Sequence, residues 1–248
     1  MNKTSFPFLI GEASAEWARQ CRMHVQYEKQ IASTNDWAKE LAFSDELQKN
    51  PISVFLTDHQ TLGRGRAKNS WLQENPGGAL LSSWVFQLSR TPRPVTSCRV
   101  GLAVHRSLCA TWPWLSQSLK APNDIYFQNQ KLGGILIENL QQGSQNCIVV
   151  GLGLNIFSAP QLPEATSLID QLQDPQTLIR NDWHLFLDRL FLELSLAISH
   201  SADQLSASEC KSLLLALNQN PNLIEKYIQV EPDGGLVTKS KHIHWSEL

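Results

Sequence analysis

The chain has 248 residues, 42% of them hydrophobic, which suffices for one large core or a main domain with a small appendage and excludes a disordered polymer. Its 21 Lys and Arg nearly cancel its 23 Asp and Glu, so no basic footprint marks a nucleic-acid partner, and small-molecule or protein substrates are expected. Cys21, Cys98, Cys109, Cys147 and Cys210 are scattered and form no CxxC pair, which excludes a disulfide framework or zinc knuckle. The apolar run 6–10 is too short for a signal peptide and is followed by Glu12 and Glu16, and no stretch reaches membrane-span length. A soluble, cytoplasmic protein without a membrane partner is the expectation.

In chain order, Ser33-Thr34-Asn35-Asp36 precedes Trp37, Ala38, Leu41 and Ala42 at helical spacing, and Ser33 with Asp36 fits a capping box. Residues 52–57 are β-branched and apolar, a predicted strand. It feeds a polar, glycine-containing segment, 59–78, which lacks any hydrophobic period and reads as a long functional loop. Residues 80–88 alternate as a strand, and Pro94 opens a helix continued by Val95, Cys98, Leu102, Leu108 and Trp112. Strands are expected at 124–127 and 132–138 around a turn at 128–130, and again at 147–156. The cleanest helix spans 182–200, and a shorter one starts at Ser206, capped through Glu209.

This order departs from regular βαβ alternation and predicts an α+β fold with a mixed, largely antiparallel sheet and flanking helices. Asn-Gln-Asn-Pro-Asn at 218–222 suggests a boundary, dividing the chain into a main domain, 1–218, and a short C-terminal β-hairpin, 223–248, too small to fold alone.

Two segments could carry chemistry. Gln60-Thr61-Leu62-Gly63-Arg64-Gly65-Arg66, with Trp71 beyond, offers two guanidinium forks on a backbone that can approach an anion, although the same string also reads as a solvated basic loop. It fits neither a Walker loop nor a dinucleotide fingerprint. Lys120-Ala121-Pro122-Asn123-Asp124, followed by Lys131-Leu132-Gly133-Gly134, could bring a lysine, an amide and a carboxylate together. Alternatively, Asn123 and Asp124 make an Asx turn and Lys131 is an edge-strand charge. Gly134 and Gly153 interrupt strands, either because a substrate lies against the sheet or because they mark bulges. His242 and His244 form at most a two-ligand metal fragment; the plainer reading is a tail strand with both rings on one face.

Taken in order, Ser33-Thr34-Asn35, Gln60 with Gly63-Arg64-Gly65-Arg66 and Trp71, Lys120-x-Pro122-Asn123-Asp124, Lys131-x-x-Gly134, and Gly151-x-Gly153-x-Asn155 resemble the biotin protein ligases. The resemblance covers roughly residues 26–157. It implies the catalytic-domain fold shared with class II aminoacyl-tRNA synthetases, and an enzyme that activates biotin with ATP and Mg2+ as biotinyl-5′-AMP. The biotinyl group would then pass to a lysine of the biotin carboxyl carrier domain of acetyl-CoA carboxylase or a related carboxylase. A homodimer is one admissible assembly.

By that resemblance Ser33, Thr34, Asn35 and Gln60 hold the ureido ring, and Gly63, Arg64, Gly65, Arg66, Lys131 and Gly134 complete the biotin site. Arg64, Arg66 and Lys131 gather the biotin carboxylate and the α-phosphate, with Lys131 the first candidate for catalysis. Arg66, Trp71, Asn123, Lys131 and Asn155 take ATP, Trp71 against adenine, and Asp124 takes Mg2+. The sequence departs from the family pattern at Ala67-Lys68-Asn69-Ser70 and at Ala121, implying looser closure over the adenylate. Only about thirty residues precede Ser33, so the winged-helix DNA-binding domain of bifunctional members, and repression with it, is not expected. The tail from Tyr227 resembles part of the small β-barrel-like domain of relatives. Two rival readings are a lipoate or octanoate protein ligase, and a non-catalytic biotin-binding module derived from such an enzyme.

Overall fold

The computed structural model describes residues 6–66, 69–172 and 178–248. They group into two compact units, residues 1–89 with 132–184 and residues 90–131 with 185–248. All five cysteines are free, and among the described residues no helix is long and apolar enough to cross a membrane.

The first unit is built on a mixed sheet. Its strands are β1 (His24–Ile31), β2 (Ile52–Gln60), β3 (Ala79–Leu88), the greater part of β6 (Gln130–Gln142) and β7 (Gln145–Asn155). β1 and β2 run parallel, with Ile31 beside Gln60, and the β2–β3, β3–β7 and β7–β6 pairs are antiparallel. Helix α2 (Thr34–Leu41) and the short α3 (Asp45–Gln48) cover part of the sheet, where Ala38, Ala42 and Leu47 meet Phe55, Val85 and Val149 in a core with no exposure above 1%. Trp37 packs edge-on against Phe55, their rings 5.1 Å apart. The predicted fold class, an α+β fold with a mixed and largely antiparallel sheet, is the one observed.

Helix α1 (Ile10–Gln20) and β1 are not legible as elements in the sequence. α1 buries mainly small residues, Gly11, Ala13, Ser14, Ala15 and Ala18, beside Ile10 and Trp17, so few large apolar side chains mark its buried face. Its N-cap is Leu9, which supplies no side-chain acceptor; the Glu12 N–H instead donates to Asp58 Oδ1 of β2 at 3.3 Å. A cap delivered from 46 residues away leaves no local signal.

The second unit contains α4 (Thr96–Thr111), the antiparallel hairpin β4 (Gln117–Lys120) and β5 (Asp124–Phe127), and the later part of α5 (Arg180–Ser199). α6 (Ala207–Asn218) follows, with the complete Ser206–Glu209 capping box. The chain ends in a three-stranded antiparallel sheet of β8 (Gln229–Val230), β9 (Gly235–Val237) and β10 (His242–His244). The expected C-terminal hairpin is thus joined by a third strand and shares its unit with α4 and α6.

Candidate active site

In the first unit, Ser33 has extended backbone and its Oγ accepts the Asp36 N–H at 3.4 Å, so it caps α2 as expected. The reciprocal half of the box does not form, because the Asp36 carboxylate is engaged elsewhere: its Oδ1 lies 2.9 Å from both Lys39 Nζ and Arg64 Nη2.

Starting α2 here fixes Thr34 and Asn35 above the sheet. The Thr34 N–H and Oγ1 both donate to Gln60 Oε1, at 2.7 and 3.1 Å. Ser83 Oγ of β3 lies 2.8 Å from Thr34 Oγ1 and 2.5 Å from Asn35 Oδ1, with one proton to share between them. Ser33, Thr34 and Asn35 are 2–4% exposed. An unpaired polar group at that depth costs about 1–3 kcal/mol, so the free protein satisfies these atoms internally and a polar ligand must replace bonds, not add them.

A charged cluster adjoins this one. Glu138 of β6 accepts from Asn35 Nδ2 at 2.8 Å and Arg64 Nη2 at 2.7 Å on Oε2, and from Lys39 Nζ at 2.9 Å on Oε1. Burial alone would raise the Glu138 pKa, but these three donors outweigh it and hold the carboxyl below the ordinary range. Burial likewise works against the charged form of Lys39, and its bonds to Glu138 and Asp36 reverse the effect and raise its pKa. Glu138 escaped the sequence reading, which treated it only as a strand end. The available signal was a carboxylate in an otherwise half-apolar strand, and its partners lie 74 to 103 residues away.

The glycine-containing loop is shorter and more regular than expected. His59 and Gln60 close β2, and the chain then folds into a small arch. Its ladder runs from the Trp71 N–H to the Gly63 carbonyl at 2.9 Å, through an Arg64–Ser70 bridge, to the Gly65 N–H on the Asn69 carbonyl at 2.7 Å. A Cβ on Gly63 would sit 3.0 Å from the Trp71 carbonyl oxygen, so glycine lets the two sides close. Of the departures at Ala67 to Ser70, Ala67 and Lys68 lie outside the described residues; Asn69 and Ser70 are ladder partners. Arg66 is half-buried and its side chain forms no hydrogen bond or ion pair with a described residue.

The Trp71 indole lies on the sheet at Gly153, where a Cβ would come within 2.8 Å of the ring. This explains Gly153 differently from either expectation: it admits a side chain of the same protein. Gly134 pairs with Gly153 in an unbroken β6–β7 register, so neither glycine marks a bulge. Asn155 is buried, and its Nδ2 donates to the Thr166 carbonyl at 3.1 Å.

Lys131, Asn123 and Asp124 belong to the second unit. The β4–β5 hairpin sets Asp124 opposite Lys120, and Lys131 Nζ lies 2.7 Å from Asp124 Oδ1. Asn123 sits in the turn just before β5 and is itself partnered. Among the described residues no group of three His, Cys, Asp or Glu side chains could hold a metal ion, which leaves His242 and His244 without the further ligands a site needs. They bond instead to Glu231 and to the Asp233 carbonyl, at 2.8 and 2.9 Å.

Comparison with known proteins agrees with this arrangement. Residues 27–155 match the model of the biotin/lipoate A/B protein ligase family. Among curated relatives, biotin–protein ligase 1, chloroplastic, of Arabidopsis thaliana is 33% identical over 133 residues, 51% of this chain and 34% of that protein. The biotin–[acetyl-CoA-carboxylase] ligase of Mycobacterium tuberculosis is 36% identical over 126 residues, 47% of this chain and 45% of that protein. The matches therefore span a third to under half the length of these relatives. The fold is similar to that of the biotin protein ligase from Aquifex aeolicus, solved in complex with biotin and ATP, with a TM-score of 0.63 at 23% identity, covering 89% of this chain and 95% of that one. A buried Ser-Thr-Asn cluster, a glycine-arginine arch and a lysine on β6, within a family match covering half the chain, lead to one assignment: the chain belongs to the biotin/lipoate A/B protein ligase family.

Proposed function

We propose that this chain is an ATP-dependent biotin protein ligase, forming biotinyl-5′-AMP and transferring biotin to a lysine of a carboxylase carrier domain. The observation that carries this reading is the buried polar group of Thr34, Asn35, Gln60 and Ser83 beside the glycine-arginine arch. A ureido ring offers two N–H donors and a carbonyl acceptor, which can take over bonds that the cluster now makes internally. A lipoyl or octanoyl chain has nothing to give such a cluster. The relatives named above are biotin ligases, which favours the same substrate.

In this reading Ser33, Thr34, Asn35 and Gln60 receive the ureido ring, with Gly63, Gly65 and Gly134 letting backbone approach the ligand. Arg64, Arg66 and Lys131 are assigned to the carboxylate and α-phosphate. Fixed positive charge there offsets the repulsion between two anions and the charge developing at phosphorus. Lys131 leaves its ion pair with Asp124 to do so. Trp71 takes the adenine face and keeps water from the mixed anhydride, and Asn123 and Asn155 take ribose or phosphate. Mg2+ would be held chiefly by ATP phosphates and water with Asp124 as one carboxylate, in keeping with its preference for oxygen ligands and retained waters. It would neutralise phosphate charge. The acceptor is the biotin carboxyl carrier domain of acetyl-CoA carboxylase or a related carboxylase.

The test is incubation with ATP, Mg2+, biotin and a carrier domain, followed by intact mass. Addition of one biotinyl group is expected. An unmodified carrier at saturating substrate, or labelling by lipoate with biotin ignored, overturns the proposal.

A further inference from the structure

We infer that Glu138 is a positioning residue for the reaction proposed above: it ties the glycine-arginine arch to the Ser-Thr-Asn helix start through Arg64 and Asn35, while Arg66 has no partner among the described residues. The inference rests on the ligase reading for its chemistry, and on hydrogen bonding alone for its anchor.

Glu138 is the point where three segments meet. Its Oε2 takes Asn35 and Arg64 and its Oε1 takes Lys39, so one carboxylate on β6 joins the start and the last turn of α2 to the arch. Asn35 is pinned from the other side as well, because its Oδ1 occupies the space a Cβ would need at Gly151 of β7. Arg64 is committed at both ends, its backbone bridged to Ser70 and its guanidinium to Glu138 and Asp36. Arg66, two residues on, has no such partner among the described residues. Before substrate arrives the two arginines of the GRGR string therefore differ: Arg64 holds the arch, and Arg66 has no partner among the described residues. An arch anchored in advance loses less freedom when a substrate binds, and that saving appears as affinity.

Glu138→Gln keeps the shape and removes the charge. In adenylate formation it should raise the KM for biotin about tenfold while kcat stays within about threefold. Arg64→Gln should raise the same KM at least as far, and adding Glu138→Gln to it should raise that KM no further, because the anchor is already broken. Losses that multiply, an unchanged KM, or a fall in kcat without a change in KM overturn the inference. Hydrogen exchange in the ligand-free protein provides a second readout: the Gly65 and Trp71 amides should exchange faster in Glu138→Gln with little change in thermal midpoint. Unchanged protection refutes the anchor whatever the protein catalyses. A wild-type chain that makes no adenylate refutes the ligase reading and leaves the anchor to be judged by exchange. Should Glu138→Gln fail to fold, Arg64→Gln carries the exchange measurement.

Discussion

Arg99 and Arg64 each face a glutamate, one in each unit, and differ in what else they touch. The Arg99 side chain is 2% exposed, and its guanidinium is fully enclosed by Glu209 and by the carbonyls of His200, Asp203 and Gln204. Arg64 is 36% exposed, and its side-chain partners among the described residues are the carboxylates of Asp36 and Glu138 and no backbone carbonyl. Arg99 holds a helix to the loop ahead of α6, and its fork is used up in doing so. Arg64 holds a loop to a sheet and keeps a face to solvent. A cation saturated by carbonyls serves the fold alone, whereas one that shares carboxylates at the surface can be part of a site.

The largest effect that would break this contrast lies at Arg99. Arg99→Ala strands Glu209 and three carbonyls, and denaturant unfolding should register a loss of about 3–5 kcal/mol. Adenylate formation per folded molecule should not change. A cost under about 1 kcal/mol would remove the distinction between the two arginines.

Next is Lys131, a cation whose single described ion-pair partner is one carboxylate at 2.7 Å. Lys131→Ala should slow adenylate formation about 100-fold or more, with biotin binding by calorimetry changed by about threefold at most. Comparable losses of both would make Lys131 a binding group.

The smallest effect concerns the two glutamates. For Glu209, as for Glu138, burial opposes the charge and the surrounding donors, Arg99 and Ser206, outweigh it, so its pKa too is held down. A carboxyl whose folded pKa is depressed contributes stability above its ordinary value, near 4.5 for Glu138, and loses it as pH falls through the folded value. The stability gap between wild type and Glu138→Gln, from urea unfolding, should therefore be full near neutral pH and shrink below about pH 4.5. Because the cluster is partly exposed, the change should stay under about 1 kcal/mol. A gap that widens on acidification would mean Glu138 is not held by its cationic partners.

Much of this molecule could be read locally. The Ser206 cap with Glu209, the Ser33 cap of α2, β2 and β3, and the long apolar stripe of α5 all announce themselves within a few residues. β4 is four residues with no alternation, β1 is half-exposed and polar, and α1 borrows its cap from Asp58, so none had a local pattern to find. The site divides in the same way. Its residue types and their order could be read, but the role of Glu138 could not, because nothing near it in the chain names Asn35, Lys39 or Arg64 as partners.

The sequence by itself determined the periodicity of the longer elements, the chemistry offered at each motif and the family those motifs resemble, because spacing and side-chain type act over a few residues. Only the tertiary structure decided that Arg64 is tied down while Arg66 has no partner among the described residues, that Gly153 makes room for Trp71, and that one carboxylate on β6 is held by both α2 and the arch. Those outcomes depend on which distant groups compete for the same acceptor or the same space once the chain has folded.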